Sequence, residues 1–131
     1  MHKTHVIAVV DDDEAMRTSL SSLLRASGYR VLGYAAPADY LESDGPAQTD
    51  CLISDMQMPG MSGSQMLDAL RAQGWRMPVI FVSAHHGDLP CDKSRATDVV
   101  ACLRKPFAAD ELVAWVEVAL RTLQASGTQK N

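Results

Sequence analysis

A chain of 131 residues, 47% apolar and 21% charged, is long enough for one domain with its own core. A net charge of −4 without a basic block argues against nucleic-acid binding by this chain, and no apolar run approaches membrane-spanning length. Cys51, Cys91 and Cys102 show no C-x-x-C spacing, and the N-terminus has no signal-peptide pattern, so reduced thiols in a cytoplasmic protein are expected.

His5 to Val10 is an unbroken apolar run and predicts a strand buried on both faces. It stops at four consecutive acids, Asp11 to Glu14. Asp13 and Glu14 are explained as the N-terminus of a helix over about 14–27, where Asp caps and acids suit the helix dipole. Asp11 and Asp12 fall at the strand end itself, where two carboxylates at ~4 Å repel by about 4 kcal/mol at an effective dielectric near 20. That cost favours a functional reading in which the pair shares a cation. Gly28 supplies the helix stop, and Arg30 to Ala35 is a second, less apolar strand expected at an edge.

Pro37 opens a short helix over about 37–43, ended by Ser43-Asp44-Gly45-Pro46. Cys51 to Ser54 is a third strand that runs directly into Asp55. Asp55 is either a loop or capping acid or a reactive group where a central strand meets solvent. After the turn at Pro59-Gly60, Ser62 or Gly63 opens a third helix with Met66, Leu67 and Leu70 on one face, closing near Gly74. Met56, Met58, Met61 and Met66 are read as packing around this loop. Pro78 to Ser83 is a fourth strand, and His85 to Asp88 a loop. Leu89 to Val99 has almost no apolar face, and a short exposed helix is expected there. Val99 to Leu103 is a fifth strand leading into Arg104-Lys105-Pro106-Phe107. Asp110 to Gln124 forms a last helix with Leu112, Trp115, Val116, Ala119, Leu120 and Leu123 on one face, before a polar tail, 125–131.

Strand and helix alternate five times, which predicts a single α/β domain: a doubly wound parallel sheet with helices on both faces. In such a sheet the carboxyl ends of the strands share one rim. Asp11 and Asp12, Asp55, Ser83 and Lys105 all fall at strand ends and converge there.

The motifs Val10-Asp11-Asp12, Asp55 with Met58 to Gly63, Ser83-Ala84 and Lys105-Pro106-Phe107 resemble those of response-regulator receiver domains of two-component signalling. Each motif alone is weak; all four in this order are specific, and the resemblance covers nearly the whole chain, 4–124. The stretch from Ser83 to Lys105, with His85, Gly87-Asp88 and Pro90, is similar to receivers of FixJ-type regulators. The resemblance implies the CheY-like, flavodoxin-like (βα)5 sheet order 2-1-3-4-5. It implies Asp55 as phosphoacceptor, Asp12 as a direct Mg²⁺ ligand, Asp11 acting largely through a metal-bound water, and the Gln57 carbonyl as a further ligand. Lys105 would pair with the phosphoryl oxygens and Ser83 would be the switch hydroxyl. His85 and Gln57 would flank the phosphoryl group and tune its lifetime. The chemistry is consistent with this: one anion approaching another needs a cation, and Mg²⁺ takes a few hard oxygens plus waters.

Three departures from the family stand out. Ser83 replaces the commoner Thr. Cys102 sits where many receivers carry an aromatic ring that turns inward, and Thr97-Asp98 replaces an Ala-Gly pattern. These departures touch the coupling to the outer face and leave the phosphorylation chemistry intact. His85-His86 lacks further ligands at metal spacing, and Cys51 reads as a small core residue. The expected function is thus a signalling receiver, not an enzyme in its own right. It would take its phosphoryl group from a sensor histidine kinase or phosphotransfer protein. Its readout would be a downstream protein or a DNA-binding output domain outside these residues. The alternative is a phosphorylation-independent interaction module on the same fold. A flavin site is disfavoured because the first loop holds acids. An Asp-nucleophile phosphatase is disfavoured because Gln57 stands where a second Asp is wanted.

Overall fold

The computed structural model describes residues 4–84 and 98–127, with side chains up to residue 121. The elements in chain order are β1 (Val6–Val10), α1 (Glu14–Ala26), β2 (Arg30–Tyr34), α2 (Pro37–Leu41), α3 (Gly45–Gln48), β3 (Cys51–Asp55), α4 (Gly63–Ala72), β4 (Val79–Ser83), β5 (Val99–Arg104) and α5 (Ala109–Gly127). The three continuous apolar runs become β1, β3 and β4, buried at every position. They occupy the centre of a five-stranded sheet of order β2-β1-β3-β4-β5, paired in parallel throughout. β2 and β5, with mixed burial, lie at the edges, as the interrupted pattern of β2 requires.

Side chains alternate across the sheet and build two cores. Ile7, Val9, Ile53, Ile80 and Val82 face α1 and α5, meeting Leu20, Leu24, Leu112 and Val116. Ala8, Val10, Leu52 and Phe81 face the other way, toward Tyr40 of α2 and Met66, Leu67 and Leu70 of α4. Met56 and Met58 are buried in this second core and Met61 packs against it, so the methionine cluster is packing. Cys51 is fully buried in the first core.

Local signals set most boundaries. The Asp13 carboxylate accepts from the Ala15 and Met16 amides and caps α1, while Gly28 (φ 99°) turns the chain out of it. Ser62 and Gln65 form a reciprocal capping box at the start of α4. Two boundaries differ from the sequence reading. α2 ends at Leu41, and the stretch read as its stop instead starts the four-residue α3, with Pro46 in its first turn. α5 starts at Ala109 and continues to Gly127, past the expected end at residue 124, because polar residues alone do not stop a helix. The exposed helix expected over 89–99 falls mainly on residues 85–97, outside the described residues, as do His85, His86 and Cys91.

The register brings the strand ends level. Val10 pairs with Tyr34 on one side and Ser54 on the other, Asp55 with Val82, and Ser83 with Arg104. The residues just past these positions therefore face one another across the carboxyl rim.

Candidate functional site

Asp55 is the last residue of β3, with 8% of its surface exposed. Its backbone is held tightly. The Met56 amide donates to the Val82 carbonyl (2.9 Å), the Gly63 amide to the Met56 carbonyl (2.9 Å), and the Ser54 hydroxyl to the Asp55 carbonyl (2.9 Å). α4 comes so close that a Cβ at Gly63 would lie 2.6 Å from the Asp55 carbonyl oxygen. The Gln57 amide reaches back to Asp55 Oδ1 at 3.4 Å, while its side chain is exposed.

Asp11 extends β1 by one residue: its amide donates to the Tyr34 carbonyl (3.1 Å). The Asp11 carboxylate is buried, accepts from the Asp13 amide at Oδ1 (2.9 Å), and meets Lys105 Nζ at Oδ2 (3.2 Å). Asp12 is exposed beside it. Asp11, Asp12 and Asp55 each offer a carboxylate oxygen, and these oxygens lie within 4.8 Å of one another. Lys105 Nζ stands between two of them, 3.2 Å from Asp11 Oδ2 and 3.7 Å from Asp55 Oδ2. The Lys105 amide donates to the Ser83 carbonyl (2.7 Å), and the Lys105–Pro106 peptide is cis. Ser83 itself is fully buried at the end of β4.

Burial pushes the Asp55 carboxyl above its ordinary range. The Lys105 charge opposes this rise, Asp11 reinforces it, the Gln57 amide opposes it and Asp12 reinforces it. Three carboxylates thus face one ammonium, and the balance at Asp55 disfavours another negative charge. A small hard divalent cation fits that need, since oxygen donors at this separation can share one ion whose remaining positions are filled by water.

The structure therefore gathers Asp11, Asp12, Asp55 and Lys105 into one cluster, with Ser83 tied to it through the Lys105 backbone and Gln57 through its amide. The sequence placed Gly63 in the motif after Asp55 and Ser54 at the end of the third strand, but did not reveal that both meet the Asp55 carbonyl. The capping box after Met61 marks a helix start, but nothing local reveals that this start abuts the Asp55 carbonyl.

A doubly wound parallel sheet with an acid cluster and a lysine at its carboxyl rim is the architecture of a phosphosignalling receiver. Residues 7–117 match the response regulator receiver domain, and the chain belongs to that family. It is 34% identical over 126 residues to the transcriptional regulatory protein FixJ of Azorhizobium caulinodans, covering 95% of this chain and 59% of the relative. It is 37% identical over 117 residues to the response regulator protein TmoT of Ectopseudomonas mendocina, covering 88% and 53%. The chain thus spans somewhat more than half the length of these relatives. Among solved structures, the response regulator StyR superposes with a TM-score of 0.86 at 33% identity, covering 97% of this chain and 66% of that one. FixJ-N superposes with a TM-score of 0.79 at 27% identity, covering 92% and 96%.

Proposed function

We propose that this chain, over residues 4–124, is the phosphoacceptor receiver of a two-component system, with Asp55 as the residue that takes the phosphoryl group. The observation that carries the reading is Lys105 Nζ at 3.2 Å from Asp11 and 3.7 Å from Asp55, within an acid cluster that can share a cation. The donor is a phosphohistidine of a sensor kinase or phosphotransfer protein. A carboxylate oxygen of Asp55 forms the new bond to phosphorus. The P–N bond to the donor histidine breaks, its electron pair returns to the imidazole, and an acyl phosphate remains on Asp55.

The residues divide the work. Asp12, Asp55 and the Gln57 carbonyl would hold Mg²⁺, with Asp11 acting largely through a metal-bound water, and the bound ion would supply neutralising charge for the transferring oxygens. Lys105 exchanges its contact with the Asp55 carboxylate for the phosphoryl oxygens, as a point charge on a flexible stem can do. Asp11 keeps that ammonium in place before and after transfer. The Ser83 hydroxyl donates to the phosphoryl oxygen, so the change at Asp55 is felt at the end of β4. Cys102, opposite Phe81 in the sheet and packed on the second core, has no ring to rotate, so the readout runs without that rotation.

Among the described residues no helix is long and apolar enough to cross a membrane, which is compatible with a cytoplasmic receiver. FixJ is named a transcriptional regulatory protein, and the chain covers 59% of it, which supports a DNA-binding output as the partner of this receiver.

Intact mass after incubation with acetyl phosphate and Mg²⁺ tests the reading. One phosphoryl adduct is expected on the natural chain, and none on Asp55→Asn or without Mg²⁺. An adduct that persists in Asp55→Asn, or none on the natural chain, overturns it.

A further inference from the structure

One cation near the acid cluster touches none of its carboxylates. Arg17, in the first turns of α1, turns back toward the rim, and its Nη1 donates to the backbone carbonyl of Asp11 at 2.7 Å. Its stem crosses the face of β2, where a Cβ built on Gly33 would lie 3.6 Å from its Cγ and Cδ. The guanidinium is thus braced against the sheet before it reaches its acceptor. The other side of the same residue is already held, because the Asp11 amide donates to the Tyr34 carbonyl.

The bonded carbonyl belongs to the peptide that joins Asp11 to Asp12. Orienting that peptide sets where the Asp12 Cα, and so its carboxylate, begins. Asp11 has further anchors of its own, at Asp13 and Lys105, but Asp12 is an exposed side chain whose direction rests on the backbone beneath it. A hydrogen bond from a charged donor to a neutral acceptor is among the stronger kinds, and this one joins two elements, α1 and the end of β1.

We infer that Arg17 is a positioning residue for the metal-binding acids: by fixing the Asp11–Asp12 peptide it raises the affinity of the cluster for a divalent cation without touching the ion. The inference rests on the proposed Mg²⁺ site. It makes an unusual demand on sign. As a charge alone, Arg17 repels a divalent cation, and removing it would tighten binding. As a positioning group, its removal lets the loop relax and weakens binding. Loss of an outer partner of a metal ligand commonly lowers metal affinity by about tenfold or more.

The experiment is Mg²⁺ titration by calorimetry on the full chain and on Arg17→Met, Arg17→Lys and Asp12→Ala, with the melting temperature of each measured in EDTA. Met keeps a stem over Gly33 and loses the donor. Lys keeps the charge and ends one atom short of the acceptor. Arg17→Met is expected to bind Mg²⁺ about tenfold more weakly than the natural chain, and Arg17→Lys to fall between the two. A purely structural role would lower the metal-free melting temperature and leave the dissociation constant of the folded protein unchanged. If Arg17→Met does not fold, Arg17→Lys decides, because equal or tighter binding by that variant removes the positioning role. Natural chain that binds Mg²⁺, lost in Asp12→Ala but undiminished in Arg17→Met, overturns this inference and leaves the proposed site standing. Natural chain that binds no Mg²⁺ overturns both.

Discussion

Asp55 carries an electrostatic conflict that its neighbours only partly resolve. Burial and two adjacent carboxylates raise its pKa, and Lys105 pulls the other way without cancelling the rise. The consequence for stability has a definite sign. Between the unfolded value of about 3.9 and the higher folded value, the native state holds more protons than the unfolded chain. The stability attached to Asp55 is therefore fully present below the unfolded value and is lost as pH rises through the folded one. In EDTA at neutral pH, Asp55→Asn should melt at a higher temperature than the natural chain, and the difference should vanish in acid. A melting series from pH 3 to 8 reads this directly, and a lower midpoint for Asp55→Asn at neutral pH would count against the balance described. Lys105→Met should do the opposite, destabilising the metal-free protein by about 2 kcal/mol, because it strips a charged hydrogen bond from buried Asp11 and leaves the acids facing one another. Mg²⁺ should recover part of that loss.

Elements show which structural information is local. The buried strands were legible because a parallel sheet covered on both sides demands continuous apolar runs, and β1, β3 and β4 supply them. The rim residues were legible for the same reason, since an acid, hydroxyl or lysine directly after such a run has to sit at the strand end. α3 was not legible: four residues carry no periodicity, and Gly45-Pro46 looks like a stop. The contact of Arg17 and the close approach at Gly63 were not legible either, because their partners belong to other elements and no local pattern encodes them. Gly63 gives the sharper test. Its added Cβ would meet the Asp55 carbonyl oxygen at 2.6 Å, the Phe81 ring at 3.0 Å and Ser54 Oγ at 3.1 Å. Because α4 cannot back away without opening its packing through Met66 and Leu70, Gly63→Ala should cost about 1–3 kcal/mol and displace Asp55. Gly33→Ala, whose Cβ would meet only ordinary contacts at 3.6 Å and beyond, serves as the control and should be nearly neutral. Urea unfolding of both, with acetyl phosphate uptake measured alongside, separates damage to the fold from damage to the site. A neutral Gly63→Ala would mean that the α4 entrance is softer than its contacts imply.

At the scale of the molecule, the cluster exists only when β1, β3 and the segment after β5 have been brought side by side, so the site is a product of the whole sheet. An ion bound there is linked to global folding. It should stabilise the native state by about 2.7 kcal/mol when its concentration is a hundred times its dissociation constant. The linkage has a shape as well as a size. Mg²⁺ should move the urea midpoint upward with little change in the slope, because nearly the same surface is exposed on unfolding with or without the ion. Asp12→Ala isolates the term. Asp12 is exposed and its charge reinforces the rise at Asp55, so its removal should leave metal-free stability equal or slightly higher. The Mg²⁺-dependent increment should disappear in the same variant. The two effects have opposite signs and come from one carboxylate, so a general loosening of the fold cannot produce both. If Asp12→Ala instead lowered stability in EDTA and kept the full Mg²⁺ increment, Asp12 would be a structural acid and the ion would have to be held by other oxygens.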